Sequence, residues 1–392
     1  MIFPYVYRRV WKYCGRGWRV VVSHFLKWAA VARVGERAAA ASALARAYIS
    51  PNLSFEDHCA AEAALTLLLD DPSAKVRQAM ADALSMSSHA PVQIIAALAA
   101  DQPEIAAMVI GRSPLLTDVD LIDRLAAGRK ETQALIAGRS QVSMSLAAAI
   151  AEIGEPEACL ALLANSGADI ASLSFHRMAE RHGHLAGVRE ALIADARLPA
   201  DCRHMLLLKV SEALQGSPLL VALMGRTGAE RVLRNACVKA SITLLDNTPA
   251  EEHEALVGHL RLRGELTTGF IVRAVAHGKV DFFGSALVML TGQSERRVRA
   301  LLSSGHDGAV RALLRRAGLP DAAHGPLLRA IRIWRDVANG RRIAGVQEVS
   351  WAMLEGLGDQ PAEKELAGMI RAIHVDALRD NARRHALALA AA

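Results

Sequence analysis

The residues best able to ligate a metal lie between positions 176 and 204: His176, His182, His184, Cys202 and His204. Zinc needs three or four nitrogen or sulfur donors converging at about 2.0–2.3 Å. His182-Gly183-His184 straddles a predicted helix end, where side chains diverge, and no second pair has structural-zinc spacing. These are read as loop and surface histidines, and no metal is expected. Asp70-Asp71, Asp118, Asp120 and Asp123 could supply paired carboxylates. Acid–base pairs need shifted pKa values in a closed cleft. These aspartates instead fall at predicted helix starts, where capping and the helix dipole favour them. The chain has no Gly-rich phosphate loop of Walker or dinucleotide type, no Gly-x-Ser-x-Gly elbow and no Cys/His nucleophile pattern. The expectation is a protein that is not an enzyme and carries no cofactor.

The arginines are the stronger signal. Residues 294–342 carry 11 Arg against four acids. Arg296, Arg297, Arg299, Arg311, Arg315, Arg316, Arg329, Arg332 and Arg335 are the candidate binding residues, followed by Arg341 and Arg342. On the helix expected over 322–337, Leu327, Ile331, Trp334 and Ala338 form an apolar stripe, so the arginines should flank it and face solvent. Such a patch suits an acidic protein, nucleic-acid phosphate or anionic lipid. An ordinary solvated face is the competing explanation, and Arg315 and Arg316 also sit where a helix C-terminus favours cations. A nucleic-acid reader would normally add exposed aromatics or a groove-entering helix, and neither is evident.

Two smaller features bear on binding. Gly111-Arg112-Ser113 returns 27 residues later as Gly138-Arg139-Ser140. A guanidinium ladder at that spacing could hold carboxylates or phosphates. The favoured reading is that the glycines end helices in the left-handed region and the arginines bond terminal carbonyls. Phe282 and Phe283 point about 100° apart on a helix. One is expected in the core and the other against a neighbouring helix, with a partner anchor less favoured.

The elements that position these residues follow from composition and period. Hydrophobic residues make up 52% of the 392, but aromatics only 4%, so the apolar mass is helix-favouring Ala and Leu. Five cysteines at 14, 59, 159, 202 and 237, with no Cys-x-x-Cys pair, fit a reducing cytoplasm. No charge-free apolar run reaches 18 residues, so no transmembrane helix is expected. The net charge of +6 is local: residues 1–28 hold six basic side chains and no acid, with half of the chain's aromatics. Aromatic and basic residues together suit a membrane–water interface. The composition shift near Val20–Val22 favours a different reading, translation of residues ahead of the native start, with a packed cap as a further alternative.

From Ala107 a unit of two short helices repeats: AMVIGRSPLLTDVDLI, ALIAGRSQVSMSLAAAI and, more weakly, LALLANSGADIASL from Leu160. A fixed period of this length marks stacked repeats. Helices are expected over 35–48 and 56–69. LLDDPSAKVRQAMADAL then resembles the second helix of a HEAT repeat, with Asp71 as cap and Pro72 at the first helical position. Thr117 with Asp120 reads as a capping pair. Around Gly216, Pro218, Gly225 and Gly228 the rhythm breaks, which places a boundary there. Further helices are expected over 229–245, 249–262, 268–276, 280–290, 295–302, 309–316 and 322–337, with a weaker pair at 345–357 and 361–390.

The strings ERAAAASALARAY near Glu36, SPLLTDVDLI at Ser113, GKVDFFGSALVMLTG at Gly278, RVRALL at Arg297 and ALLRRAGLP at Ala312 carry a family resemblance. Over about residues 25–337 the chain resembles a bacterial family of HEAT-like proteins catalogued as a domain of unknown function. The resemblance implies a fold and no activity. The expected plan is all-α: a basic aromatic segment 1–24, HEAT-like repeats of antiparallel helix hairpins in a right-handed α-solenoid over 25–216, a helical subdomain over 229–340 with the Arg patch, and a helical tail 341–392. Stacked hairpins offer an extended concave surface, so the expected function is a cytoplasmic protein–protein interaction scaffold. The alternatives are nucleic-acid binding through 294–342, as in HEAT-like DNA-repair glycosylases, and membrane-surface association if residues 1–28 are native.

Overall fold

The architecture comes from a computed structural model that describes residues 27–29, 31–51, 53–358 and 360–390. The basic aromatic segment 1–24, with its start-site, cap and membrane readings, lies outside the described residues. Among the described residues every named element is a helix, and one isolated parallel bridge joins Val142 and Ala168. The chain forms two compact units, Met1–Ala196 and Arg197–Ala392.

The first unit contains α1 (Val34–Tyr48), α2 (Phe55–Leu68), α3 (Ala74–Leu84), α4 (Val92–Leu98), α5 (Pro103–Arg112), α6 (Asp118–Ala127), α7 (Lys130–Ala137), α8 (Met144–Ile153), α9 (Pro156–Ala164), α10 (Ser172–His182) and α11 (Ala186–Ala194). Most are too short to be stable alone, so packing must hold them. Most rest on the helix two further along: α1 on α3, α3 on α5, α5 on α7, α7 on α9 and α9 on α11, with α6 on α8 and α8 on α10 in a second row, while α2 and α4 pack on their chain neighbours. In α6, Thr117 and Asp120 close the expected capping box, and Leu121 and Leu125 at i, i+4 are buried.

Two local expectations are corrected. Pro72 precedes α3 rather than opening it, because Ser73 is the N-cap and its N–H donates to Asp71 Oδ1 at 2.8 Å. Gly111 lies inside α5, and Gly138 has φ −85, so neither glycine is left-handed. The left-handed turn is dispensable because the next repeat supplies the donors. Arg139 donates to Ile110 O and to Ser113 O (2.6 Å) at the end of α5. Asn165 does the same for Ala137 O at 2.8 Å and Arg139 O at 2.6 Å. Arg181 reaches Ala151 O and Gly154 O, both at 2.9 Å. The orphan carbonyls of each helix end are thus met from one repeat later. Nearer the start, Arg37 pairs with Asp71 at 2.7 Å, Arg77 donates to Asp71 O at 2.6 Å, and Arg77 pairs with Asp101 at 2.6 Å. The guanidinium groups hold both carboxyls below the usual carboxylate range.

The second unit contains α12 (Ala200–Gln215), α13 (Pro218–Met224), α14 (Arg226–Leu244), a 3-10 turn (Ala250–Glu252), α15 (His253–Leu262), α16 (Thr268–Ala276), α17 (Val280–Thr291), α18 (Glu295–Ser304), α19 (Asp307–Arg316), α20 (Asp321–Ala338), α21 (Val346–Leu354) and α22 (Pro361–Ala390). The glycine-rich stretch 216–228 lies within this unit, where α12 packs on α14 and α15, so the chain divides about twenty residues ahead of it. Phe282 and Phe283 are each 1% exposed, Phe282 among α15 and α16 side chains and Phe283 among those of α18, α19 and α20. Their divergence on α17 fills two clusters at once, which leaves no partner anchor. Of the stripe expected on α20, Leu327 and Ile331 are buried, Trp334 is half-buried and donates to Val275 O at 2.7 Å, and Ala338 is exposed. Gly278, at φ +77, lets that indole approach: a Cβ there would sit 3.1 Å from the ring. No single described helix is long and apolar enough to cross a membrane; α12 and α13 reach that hydropathy only as a pair bent by 67°.

Candidate functional site

The nine candidate arginines divide into three kinds by what they touch. Arg335 donates to Leu302 O at 2.5 Å, Leu301 O at 2.7 Å and Gly305 O at 3.0 Å, closing the end of α18. Burial pushes its pKa down, and Asp307 opposes that. Arg316 donates from Nε to Thr291 O at 3.1 Å, the last residue of α17, and Arg329 to Met353 O at 3.4 Å in α21. These are the same ties to helix ends that run through the first unit. Three others face acids: Arg299 with Glu295 at 2.8 Å, Arg315 with Asp321 at 3.5 Å, and Arg332 with Asp307. Arg296, Arg297 and Arg311 are exposed on α18 and α19, and their side chains make no hydrogen bond or ion pair among the described residues. The patch is therefore smaller than its composition, because three of the nine guanidinium groups are spent on backbone carbonyls and three more face acids.

The repeat arginines, Arg112 and Arg139, are also split. Arg139 is half-buried on carbonyls, whereas Arg112 is exposed and 3.6 Å from Asp82. No guanidinium ladder forms. Asp118 accepts from the Ser143 and Ser145 hydroxyls (the latter at 2.6 Å), which lower its pKa, and Asp120 serves the α6 cap.

The histidines take separate roles. His182 sits 3.1 Å from Gly154 O, beside the Arg181 tie. His204 is 2% exposed in α12, not at the surface as expected. Its Nε2 lies 3.1 Å from Ser241 Oγ and 3.4 Å from Glu265 Oε2, and its ring meets His259 edge to face at 5.4 Å. The Ser241 hydroxyl donates to Cys237 O at 2.8 Å, so it can only accept from His204. That fixes the Nε2–H tautomer and leaves no base for the serine, so the cluster is not an activated nucleophile. Burial pushes His204 down to about 4 and raises Glu265. Among the described residues no group of three or more His, Cys, Asp or Glu could hold a metal ion.

A polar cleft in the second unit has no counterpart in the sequence reading. It encloses about 200 Å³ between α14, α16, the start of α21 and α22. Arg273 and, four residues on, the α16 C-cap His277 lie on one side of that helix; Asp376, Asp380 and Arg384 present one face of α22. His277 Nδ1 lies 2.8 Å from Arg273 O, and burial pushes its pKa down. The helical spacing of each set is legible in the sequence, but the pairing of α16 with α22 across ninety residues is not.

A family model described as an uncharacterised protein conserved in bacteria (DUF2336) matches residues 105–367, about two thirds of the chain. The chain belongs to that family. The match begins inside α5 and ends in α22, so it starts later than the resemblance expected from residue 25 and includes α21. All nine candidate arginines fall within it. No curated protein and no solved structure matches the chain.

Proposed function

We propose that the chain is a non-enzymatic protein-interaction scaffold whose first unit is a HEAT-like α-solenoid. The observation that carries this reading is the repeat of one joint. Alternate helices rest on one another in two rows, and an Arg or Asn of each repeat bonds the helix-end carbonyls of the one before. Such an array exposes long helix faces and needs no closed cleft. The contact surface for an acidic protein partner is the α18–α19 face, with Arg296, Arg297 and Arg311 as its uncommitted cations. Cytoplasmic residence accords with buried, unpaired thiols such as Cys159, which burial pushes up to about 11.

The test is affinity capture of the full chain from its own cell, compared with a triple R296E/R297E/R311E variant. The reading expects a protein that is retained by the wild type, lost by the variant and insensitive to nuclease. Loss on nuclease treatment, with affinity falling by about 0.9 log unit per log unit of salt for each phosphate contact, would make nucleic acid the ligand instead. Identical capture by both proteins would remove the arginine face from the account.

A further inference from the structure

We propose that the cleft around Arg273 binds a small oxyanion, a molecule presenting a phosphate or carboxylate group. Several charges in the cleft are already answered. Asp380 is 3.3 Å from Lys239, and Asp246 pairs with Lys279. Asp376 has Arg379 at 4.0 Å and makes no ion pair with Arg273. Among the described residues the Arg273 side chain makes no hydrogen bond, and its Nε is buried without a partner. Burial pushes the Arg273 pKa down, with only partial opposition from Asp376.

A guanidinium in that position is costly, since a buried charge needs pairing and its N–H groups need acceptors. Other part-buried arginines have at least one acceptor: Arg139 and Arg335 lie on carbonyls and Arg77 on a carboxylate, while Arg124 and Arg329, whose Nε atoms are also buried without a partner, each donate to one carbonyl. Arg273 instead faces a cavity large enough for several waters. Two features of the wall favour an anion over water. Arg384 enters from α22, bonded to neutral Asn381 and not to an acid. The first residues of α21, Val346 and Gln347, line the cavity, where backbone N–H groups and the helix dipole add positive potential. Glu348 caps Gly345 N–H at 2.8 Å and moderates that potential without occupying the cleft. A planar guanidinium with free donors suits the two-pronged geometry of phosphate or carboxylate. The site is independent of the α18–α19 surface, so either proposal can fail alone.

The experiment is thermal unfolding of the full chain with inorganic phosphate, with succinate, and with sodium chloride at matched ionic strength. Either oxyanion should raise the midpoint of one transition saturably, by at least ~2 °C at a hundredfold excess over its dissociation constant. The identity of the effective anion separates phosphate from carboxylate ligands. Arg273→Met should abolish the response while leaving the unliganded protein at least as stable, because a cation without acceptors has been removed. A merely structural arginine would lose stability instead. Thr243→Glu, at an exposed position lining the cleft, offers a carboxylate in place of the ligand and should also abolish the response. No saturable rise with either anion, or an undiminished rise in Thr243→Glu or in a folded Arg273→Met, overturns the proposal.

Discussion

Arg335→Met is the sharpest probe of how these helices are joined. Arg335 places three N–H groups on the terminal carbonyls of α18 at 2.5–3.0 Å. Hydrogen bonds from a charged donor contribute about 1.5–3 kcal/mol each. The side chain is half-buried, so solvent screening cuts that by about half. Burial of the cation works against it as well. Methionine keeps the apolar stem packed. The net loss is about 2–4 kcal/mol, or roughly 5–10 °C in the midpoint of a unit this size. Arg335→Lys should recover only part, since an ammonium cannot span three divergent acceptors. Arg296→Met, on the exposed face of α18, should stay within about 0.5 kcal/mol of wild type. Urea unfolding followed by far-ultraviolet circular dichroism and by tryptophan emission, with Trp334 one residue away, reads all three. Arg335→Met within 0.5 kcal/mol of wild type, or a matching loss in Arg296→Met, would refute the carbonyl-tie reasoning.

Three further outcomes are expected. His204 has a folded pKa of about 4 against about 6.5 unfolded, so the unfolded state binds more protons between those values. The second unit should therefore weaken by about 2–3 kcal/mol as pH falls from 6.5 to 4, and His204→Leu should flatten that slope in pH-resolved denaturation. In the first unit Asp71, Asp101 and Asp118 have lowered pKa values, so their contribution holds above about 3.9 and is lost as pH falls through the folded values. Asp101→Asn, which strips the charge from the partner of nearly buried Arg77, should cost about 2–3 kcal/mol at pH 7, and an unchanged urea midpoint would contradict it. Gly167→Ala would place a Cβ 2.1 Å from Ser140 O, forcing the bridged turns apart. It should destabilise by about 2–3 kcal/mol and speed hydrogen exchange at the Val142 and Asp169 amides, which bond across that bridge at 3.2 and 3.0 Å.

Helix positions were the most legible part of the chain. Residues 268–276 and 361–390 coincide with α16 and α22, and most other expected helices fall within a few residues, because apolar spacing and caps such as Thr117–Asp120 are local signals. The repeat was legible too, but its meaning was displaced. Gly138 does cap α7, and Arg139 bonds terminal carbonyls as its place after a helix stop suggests, but those carbonyls belong to α5, one repeat back. Nothing in a local window tells a guanidinium that will meet carbonyls from one that will meet solvent. That is why Arg335 and Arg296 read alike in the sequence and differ in the fold. His204 was misplaced for the related reason that its burial depends on Ser241, His259 and Glu265, which are far away in the chain. The Arg273 cleft needs α14, α16, α21 and α22 together, and no spacing along the chain encodes that meeting.

The carbonyl ties at Arg139, Asn165 and Arg181 point one way, opposite to the Arg37–Asp71 and Arg77–Asp101 ion pairs. Donors at Arg139, Asn165 and Arg181 lie 26 to 30 residues after the carbonyls they complete. Each repeat is therefore finished by material that the ribosome has yet to make. During synthesis the growing end always carries unanswered carbonyls, and the nascent array stays receptive to its own next segment. Cutting the chain between repeats leaves both sides incomplete. The upstream piece is left with helix-end carbonyls and the downstream piece with the donors that had met them, and water must answer both. These ties thus have a direction along the chain, each helix end being completed by a residue made later.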